Sequence, residues 1–111
     1  MKIAVIGSRS ITEIDLKPYI STFDEIVSGG AKGIDSCAAE DARKNNIKLT
    51  EFLPEYSKYG KAAPIIRNKK IVDYADEVIA FWDGNSRGTK FVIDECKKAG
   101  KTVQVIIIES N

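Results

Sequence analysis

The chain contains no histidine. That absence removes Ser–His and Cys–His nucleophile pairs and most zinc sites. Chemistry is left to carboxylates, Lys, Arg, Tyr, hydroxyls and backbone dipoles. Cysteine is scarce, with only Cys37 and Cys96, which form no C-x-x-C pair. Each falls in a helix-like segment, which predicts two reduced, partly buried thiols rather than a disulfide framework. An excess of one charge is also lacking. Seventeen Lys and Arg against sixteen Asp and Glu give a net charge of +1, so there is no bulk electrostatic footprint for nucleic acid, although a local basic patch is compatible with it. No apolar run approaches the roughly 18 residues of a membrane span. Met1 leads directly into KIAVIG, too short for a signal peptide. The expectation is a cytoplasmic protein with no membrane partner. No internal repeat, low-complexity tract or linker interrupts the chain.

The 111 residues present suit one domain, residues 1–111, large enough to fold around a single core without staples. KIAVIG reads as a buried strand ended by Gly7. Residues 12–22 suit a short helix, which Pro18 permits only in its first turn, near Lys17. DEIVSG is a second strand. Residues 31–45 read as a helix, with Ile34, Ala38 and Ala42 on one face. Residues 46–54 form a third strand stopped by Pro54, and 55–60 (EYSKYG) read as loop. A helix over 61–74 follows, with Pro64 suited to its first turn. EVIAFW is strand four, 88–99 a helix closed by Gly100, and 102–109 strand five. Apolar strands alternating with helices predict an α/β fold: a three-layer, doubly wound, Rossmann-like parallel sheet with strand order 3-2-1-4-5.

The chemistry-bearing residues fall after strands one, two and four. Such a sheet binds ligands beyond the carboxyl ends of its strands, where the strand order reverses. In GSRS, Gly7 allows a sharp turn, Ser8 can cap or hydrogen-bond, and Arg9 can fork onto a phosphate. In SGGAKGID, Gly29, Gly30 and Gly33 precede a helix N-terminus, a natural anion site. The spacing is neither the full dinucleotide fingerprint nor a P-loop. Asp35 could support the helix or accept from a ribose hydroxyl. In WDGNSRGTK, Asp83 and Gly84 make a turn, and Ser86, Gly88 and Thr89 offer amides and hydroxyls before a helix, the composition of a phosphate cradle. Trp82 either packs the sheet edge or stacks on a base. Arg67 and Asn68 lie near the start of helix 61–74 and could reach the same cleft. Each loop also has a plainer reading, as a tight turn with a capped helix.

Taken in order, GSRS, SGGAKGID and RNKKIVDYADEVIAFWDGNSRGTKFVIDECKKAGKTV resemble the SLOG superfamily of Rossmann-like proteins, in particular its small stand-alone YspA/YpsA-type members. The resemblance covers nearly the whole chain. Two other branches bear on function. In the DNA-processing protein A (Smf) family, a glycine loop resembles SGGAKGID and an R-N-R stretch resembles Arg67-Asn68-Lys69; that likeness implies single-stranded DNA binding. In the lonely guy phosphoribohydrolases, the signature P-G-G-x-G-T-x-x-E is similar to Asp83-Gly84 through Gly88-Thr89. Val92 stands where that signature has its acid, so the resemblance identifies no catalytic residue; Asp35 or Asp83 could substitute. The resemblance implies a nucleotide-binding or nucleotide-processing domain that needs no metal or further cofactor. Its ligand would be a small-molecule nucleotide. Phosphoribohydrolase activity and single-stranded DNA binding are the alternatives, and homo-oligomerisation is left open.

Overall fold

The computed structural model describes residues 1–8, 11, 16–20, 22–29 and 34–108, with backbone alone at 17 and 34–36. Five strands form one parallel sheet in the order β3-β2-β1-β4-β5. They are β1 (Lys2–Gly7), β2 (Glu25–Ser28), β3 (Lys48–Glu51), β4 (Glu77–Trp82) and β5 (Thr102–Ile107). The helices are α1 (Lys17–Ile20), α2 (Ile34–Lys44), α3 (Tyr56–Tyr59), α4 (Ala63–Tyr74) and α5 (Arg87–Ala99). This is the α/β architecture and strand order that the alternation of apolar runs predicts.

Period-two alternation explains the three layers. Ile3, Val5, Ile26, Ile79 and Phe81 point to one face and pack with Leu16, Ile20, Ala38 and Ala42. Ala4, Ile6, Val27 and Val78 point to the other and pack with Ile71, Val72, Val92 and Cys96. Phe81 is wholly buried and meets Tyr19 edge to face, with ring centroids 5.3 Å apart. In α5 the buried residues Thr89, Val92, Ile93 and Cys96 recur at the spacing of one helical stripe. Gly100 closes that helix at φ 68° and donates to the carbonyls of Cys96 and Lys97, a left-handed cap for which glycine carries no Cβ penalty.

The boundaries differ from the sequence reading in several places. Residues 56–59 are helical, not loop, and Gly60–Ala62 form a 3-10 turn leading into α4. Gly60, at φ 57°, lets the chain break between the two short turns, a conformation glycine adopts readily. The helix expected over 61–74 therefore begins at Ala63, with Pro64 in its first turn. Strand three is shorter than 46–54. Asn46 takes φ 54° to turn out of α2, as Asn tolerates, and pairing with β2 spans Lys48 to Glu51. Of the helix expected over 12–22, α1 supplies 17–20 with Pro18 in its first turn; residues 12–15 and 21 lie outside the described set. The helix expected over 31–45 is described from Ile34.

Two features hold the end of the sheet away from the loops. Glu25, at the start of β2, is 8% exposed. Its Oε2 accepts from the Tyr74 hydroxyl at 2.6 Å and the Thr50 hydroxyl at 2.8 Å. Lys48 Nζ lies 3.5 Å from Oε1. The Tyr74 hydroxyl, ahead of the other donors, holds the Glu25 carboxyl below its usual range. At the same edge, the Lys2 N–H donates to Asp76 Oδ2 at 2.7 Å and the Asp76 N–H to the Lys2 carbonyl at 2.9 Å. These bonds fix the start of β1 against the approach to β4.

Candidate functional site at the carboxyl edge of the sheet

At the opposite edge, the strand ends deliver the polar loops to neighbouring positions. β1 lies between β2 and β4, so Gly7 and Ser8 emerge between Gly29 on one side and Asp83 on the other. Gly7 pairs with Phe81 in the last register of β1 and β4. Ser8 continues that contact, with its N–H donating to the Phe81 carbonyl at 3.0 Å. Its side chain is buried, 1% exposed, and its Oγ accepts from the Asp83 N–H at 3.2 Å. The loops after β1 and β4 are thus joined through one serine hydroxyl.

A second tie joins the loop after β2 to α4. Arg67 Nη1 donates to the Gly29 carbonyl at 2.8 Å across 38 residues of chain. Arg67 Nε donates to Asn68 Oδ1 at 2.7 Å, which orients the planar guanidinium. The first turns of α4 therefore reach the carboxyl edge, as the position of Pro64 suggested. Arginine suits this place, since a guanidinium can bridge a backbone carbonyl while presenting other N–H groups elsewhere.

The loop after β4 is internally braced. Asp83 Oδ1 accepts from the N–H groups of Asn85 and Ser86, each at 2.8 Å, an Asx turn of the kind Asp favours. Gly84 takes φ 85° within it. Trp82 is half-buried and its indole N–H donates to the Ser86 carbonyl at 3.0 Å, so the polar end of the ring is held by its own loop. Ser86 is the N-cap of α5. Its Oγ accepts from the Thr89 N–H at 3.4 Å and lies 3.2 Å from Thr89 Oγ1. Thr89 is buried, while Gly88 is exposed and a Cβ added there would meet open space. The first turn of α5 holds no acidic residue. Arg87 is exposed within it, and the carboxylate at the positive end of the helix dipole is that of Asp83, bonded to the N-cap amide just outside the helix.

Of the residues singled out from sequence, the structure brings Gly7, Ser8, Gly29, Arg67, Asn68, Trp82, Asp83, Gly84, Ser86, Gly88 and Thr89 to this one edge. Arg9, Gly30 and Gly33 lie outside the described residues. Asp35 falls in the first turn of α2, and its side chain lies outside them too. Among the described residues no group of His, Cys, Asp and Glu could hold a metal ion. No described helix is long and apolar enough to cross a membrane. Cys37 is half-buried and Cys96 buried, and they form no disulfide; burial pushes the Cys96 thiol up.

The sequence reading missed a cavity of about 210 Å³ beside this edge. It lies where the end of β3 meets α3 and α4, with Phe52, Tyr59, Ile66, Arg67 and Lys70 among its walls. One of its walls, Tyr59, comes from α3, the segment that EYSKYG led us to expect as loop.

The fold and this edge define a class: an all-parallel, Rossmann-like α/β domain with polar loops gathered at its carboxyl edge. No family model matches the chain, and no solved structure does. Two curated proteins are similar to it in sequence. A flap endonuclease 1 from Methanococcus aeolicus is 32% identical over 92 residues, covering 72% of this chain and 28% of that protein. The gene 61 protein of Mycobacterium phage D29 is 36% identical over 81 residues, covering 68% of this chain and 65% of that protein. The matches thus span well under a third of the first relative and just under two thirds of the second.

Proposed function

We propose that this domain binds a nucleotide or related phosphoribosyl ligand at the carboxyl edge of the sheet, as the SLOG resemblance implies. The observation that carries the reading is the pair of long-range ties, Ser8 to Asp83 and Arg67 to Gly29. One ties the loops after β1 and β4, the other ties the loop after β2 to α4, and the strand order sets all three loops at one edge. The phosphate would lie at the start of α5, on amides and hydroxyls between Gly84 and Thr89, with Arg9 or Arg67 contributing charge. The sugar would face Gly29, Gly30 and Asp35. The name of the flap endonuclease relative supports the coarser reading of a role connected with nucleic acids or their components.

Single-stranded DNA binding is the second reading, implied by the likeness to the DNA-processing protein A family; the endonuclease in that relative's name supports only its coarser part, a nucleic-acid-related role. The phosphoribohydrolase reading has less support, because the Asp83 carboxylate is occupied with bracing its own loop. Thermal unfolding in the presence of nucleoside monophosphates, dinucleotides and ribose 5-phosphate tests the leading reading. A ligand that binds only the native state raises the melting temperature by mass action. No shift with any of them at millimolar concentration would overturn it. Binding to an oligonucleotide alone, with a steep salt dependence, would favour the second reading.

A further inference from the structure

The cavity between β3, α3 and α4 has no part in the phosphate and sugar contacts just described, yet it shares one residue with them. Arg67 lines it and also donates to the Gly29 carbonyl. A ligand whose sugar lies against Gly29 would therefore have its next group at the mouth of this cavity. About 210 Å³ is below the roughly 300–1,000 Å³ of sites that hold whole drug-sized ligands. It suits a fragment such as a single planar heterocycle.

The walls have the chemistry of such a fragment. Tyr59 and Phe52 supply aromatic surface and Ile66 an apolar one, the materials of base stacking. Two carboxylates, Glu51 and Glu55, are also among the lining groups. Glu55 is paired with Lys70 at 3.3 Å. Glu51, the last residue of β3 and the register partner of Ser28, is exposed and has no ion-pair partner among the described residues. Its two oxygens can accept from two adjacent N–H groups on one edge of a base. Guanine presents such an edge, with a ring N–H beside an exocyclic amine; hypoxanthine differs only in lacking the amine.

We propose that this cavity is the base subsite of the nucleotide site, and that Glu51 selects guanine. The inference rests on the proposed nucleotide binding at the carboxyl edge. The experiment is calorimetric titration of the full chain with GMP, IMP and ribose 5-phosphate, repeated for Glu51→Gln and Ile66→Trp. Loss of a hydrogen bond to an ionised acceptor predicts that IMP binds about tenfold or more weakly than GMP. Glu51→Gln, at an exposed position, should remove that preference. Ile66→Trp, which fills the cavity, should weaken GMP about tenfold or more and leave ribose 5-phosphate unchanged. If wild type and Ile66→Trp bind GMP and ribose 5-phosphate alike, the cavity is not the base subsite, although nucleotide binding stands. Equal affinity for GMP and IMP, or a preference for GMP that survives Glu51→Gln, overturns the role of Glu51. If none of the three ligands binds, the nucleotide reading itself fails, and the subsite with it.

Discussion

Replacing Tyr74 with Phe isolates one oxygen atom at the base of the fold. The hydroxyl donates to Glu25 Oε2 at 2.6 Å, in a site where the carboxylate is only 8% exposed. The ring makes two further contacts that phenylalanine retains. It meets Phe52 edge to face at 5.4 Å, and Lys2 Nζ sits 4.0 Å from its centroid. The substitution therefore leaves the packing and removes a charge-assisted hydrogen bond, worth roughly 1.5–3 kcal/mol. Thr50 still donates to the same oxygen at 2.8 Å, so the lower part of that range, about 2 kcal/mol, is expected. In a domain of this size, that lowers the melting temperature by on the order of 8 °C.

The pH dependence gives an independent check. The folded carboxyl of Glu25 titrates below its ordinary value of 4.5, chiefly because Tyr74 donates to it. A depressed carboxylate contributes stability that is fully present above 4.5 and is lost as the pH falls through the folded pKa. Tyr74→Phe raises the folded pKa toward the ordinary value, so the variant should lose less stability than wild type between neutral and acidic pH. Urea denaturation at pH 7 and at stepped lower pH measures both quantities. A change under about 0.5 kcal/mol at pH 7, or parallel pH profiles for the two proteins, would refute the reasoning. Glu25 lies at the amino end of the sheet, so ligand binding at the carboxyl edge should be unaffected.

Three further outcomes are expected. Ser86→Ala removes the N-cap of α5 and should cost about 1 kcal/mol in chemical denaturation, with Ser86→Gly costing only a few tenths. Gly100→Ala forces a Cβ into the left-handed cap at φ 68° and should destabilise by roughly 1–2 kcal/mol, read from the same curves. Cys96 is wholly buried and its thiol is pushed up by that burial, so in Cys37→Ser it should react with a thiol reagent only as fast as the chain opens. Rapid stoichiometric labelling under native conditions would contradict its placement.

Much of the fold is legible from short stretches because its causes are local. KIAVIG and EVIAFW declare buried strands by composition, and Gly100 declares a helix end because few other residues adopt its backbone angles cheaply. Pro18 and Pro64 mark first turns for the same kind of reason. EYSKYG misled because a single helical turn has too little periodicity to signal itself; α3 is helical in its tertiary setting, against α4. Asn46 shortened a strand through a turn that its side chain tolerates but does not demand.

The candidate site divides along the same line. That Ser8, Gly29, Arg67 and Asp83 are unusual residues at strand or helix ends is a property of the sequence, as is their tendency to cap and turn. That the Ser8 hydroxyl meets the Asp83 amide, and that Arg67 reaches across 38 residues to one glycine carbonyl, was decided by strand order and helix placement. So was the buried Glu25–Tyr74–Thr50 cluster, whose members are spread over three elements. Nothing in the order of residues sets the volume beside Phe52 and Tyr59, because a cavity is the space left between elements after they pack. Local sequence determined which chemical groups stand at the ends of the elements; only the closed sheet decided which of them face one another.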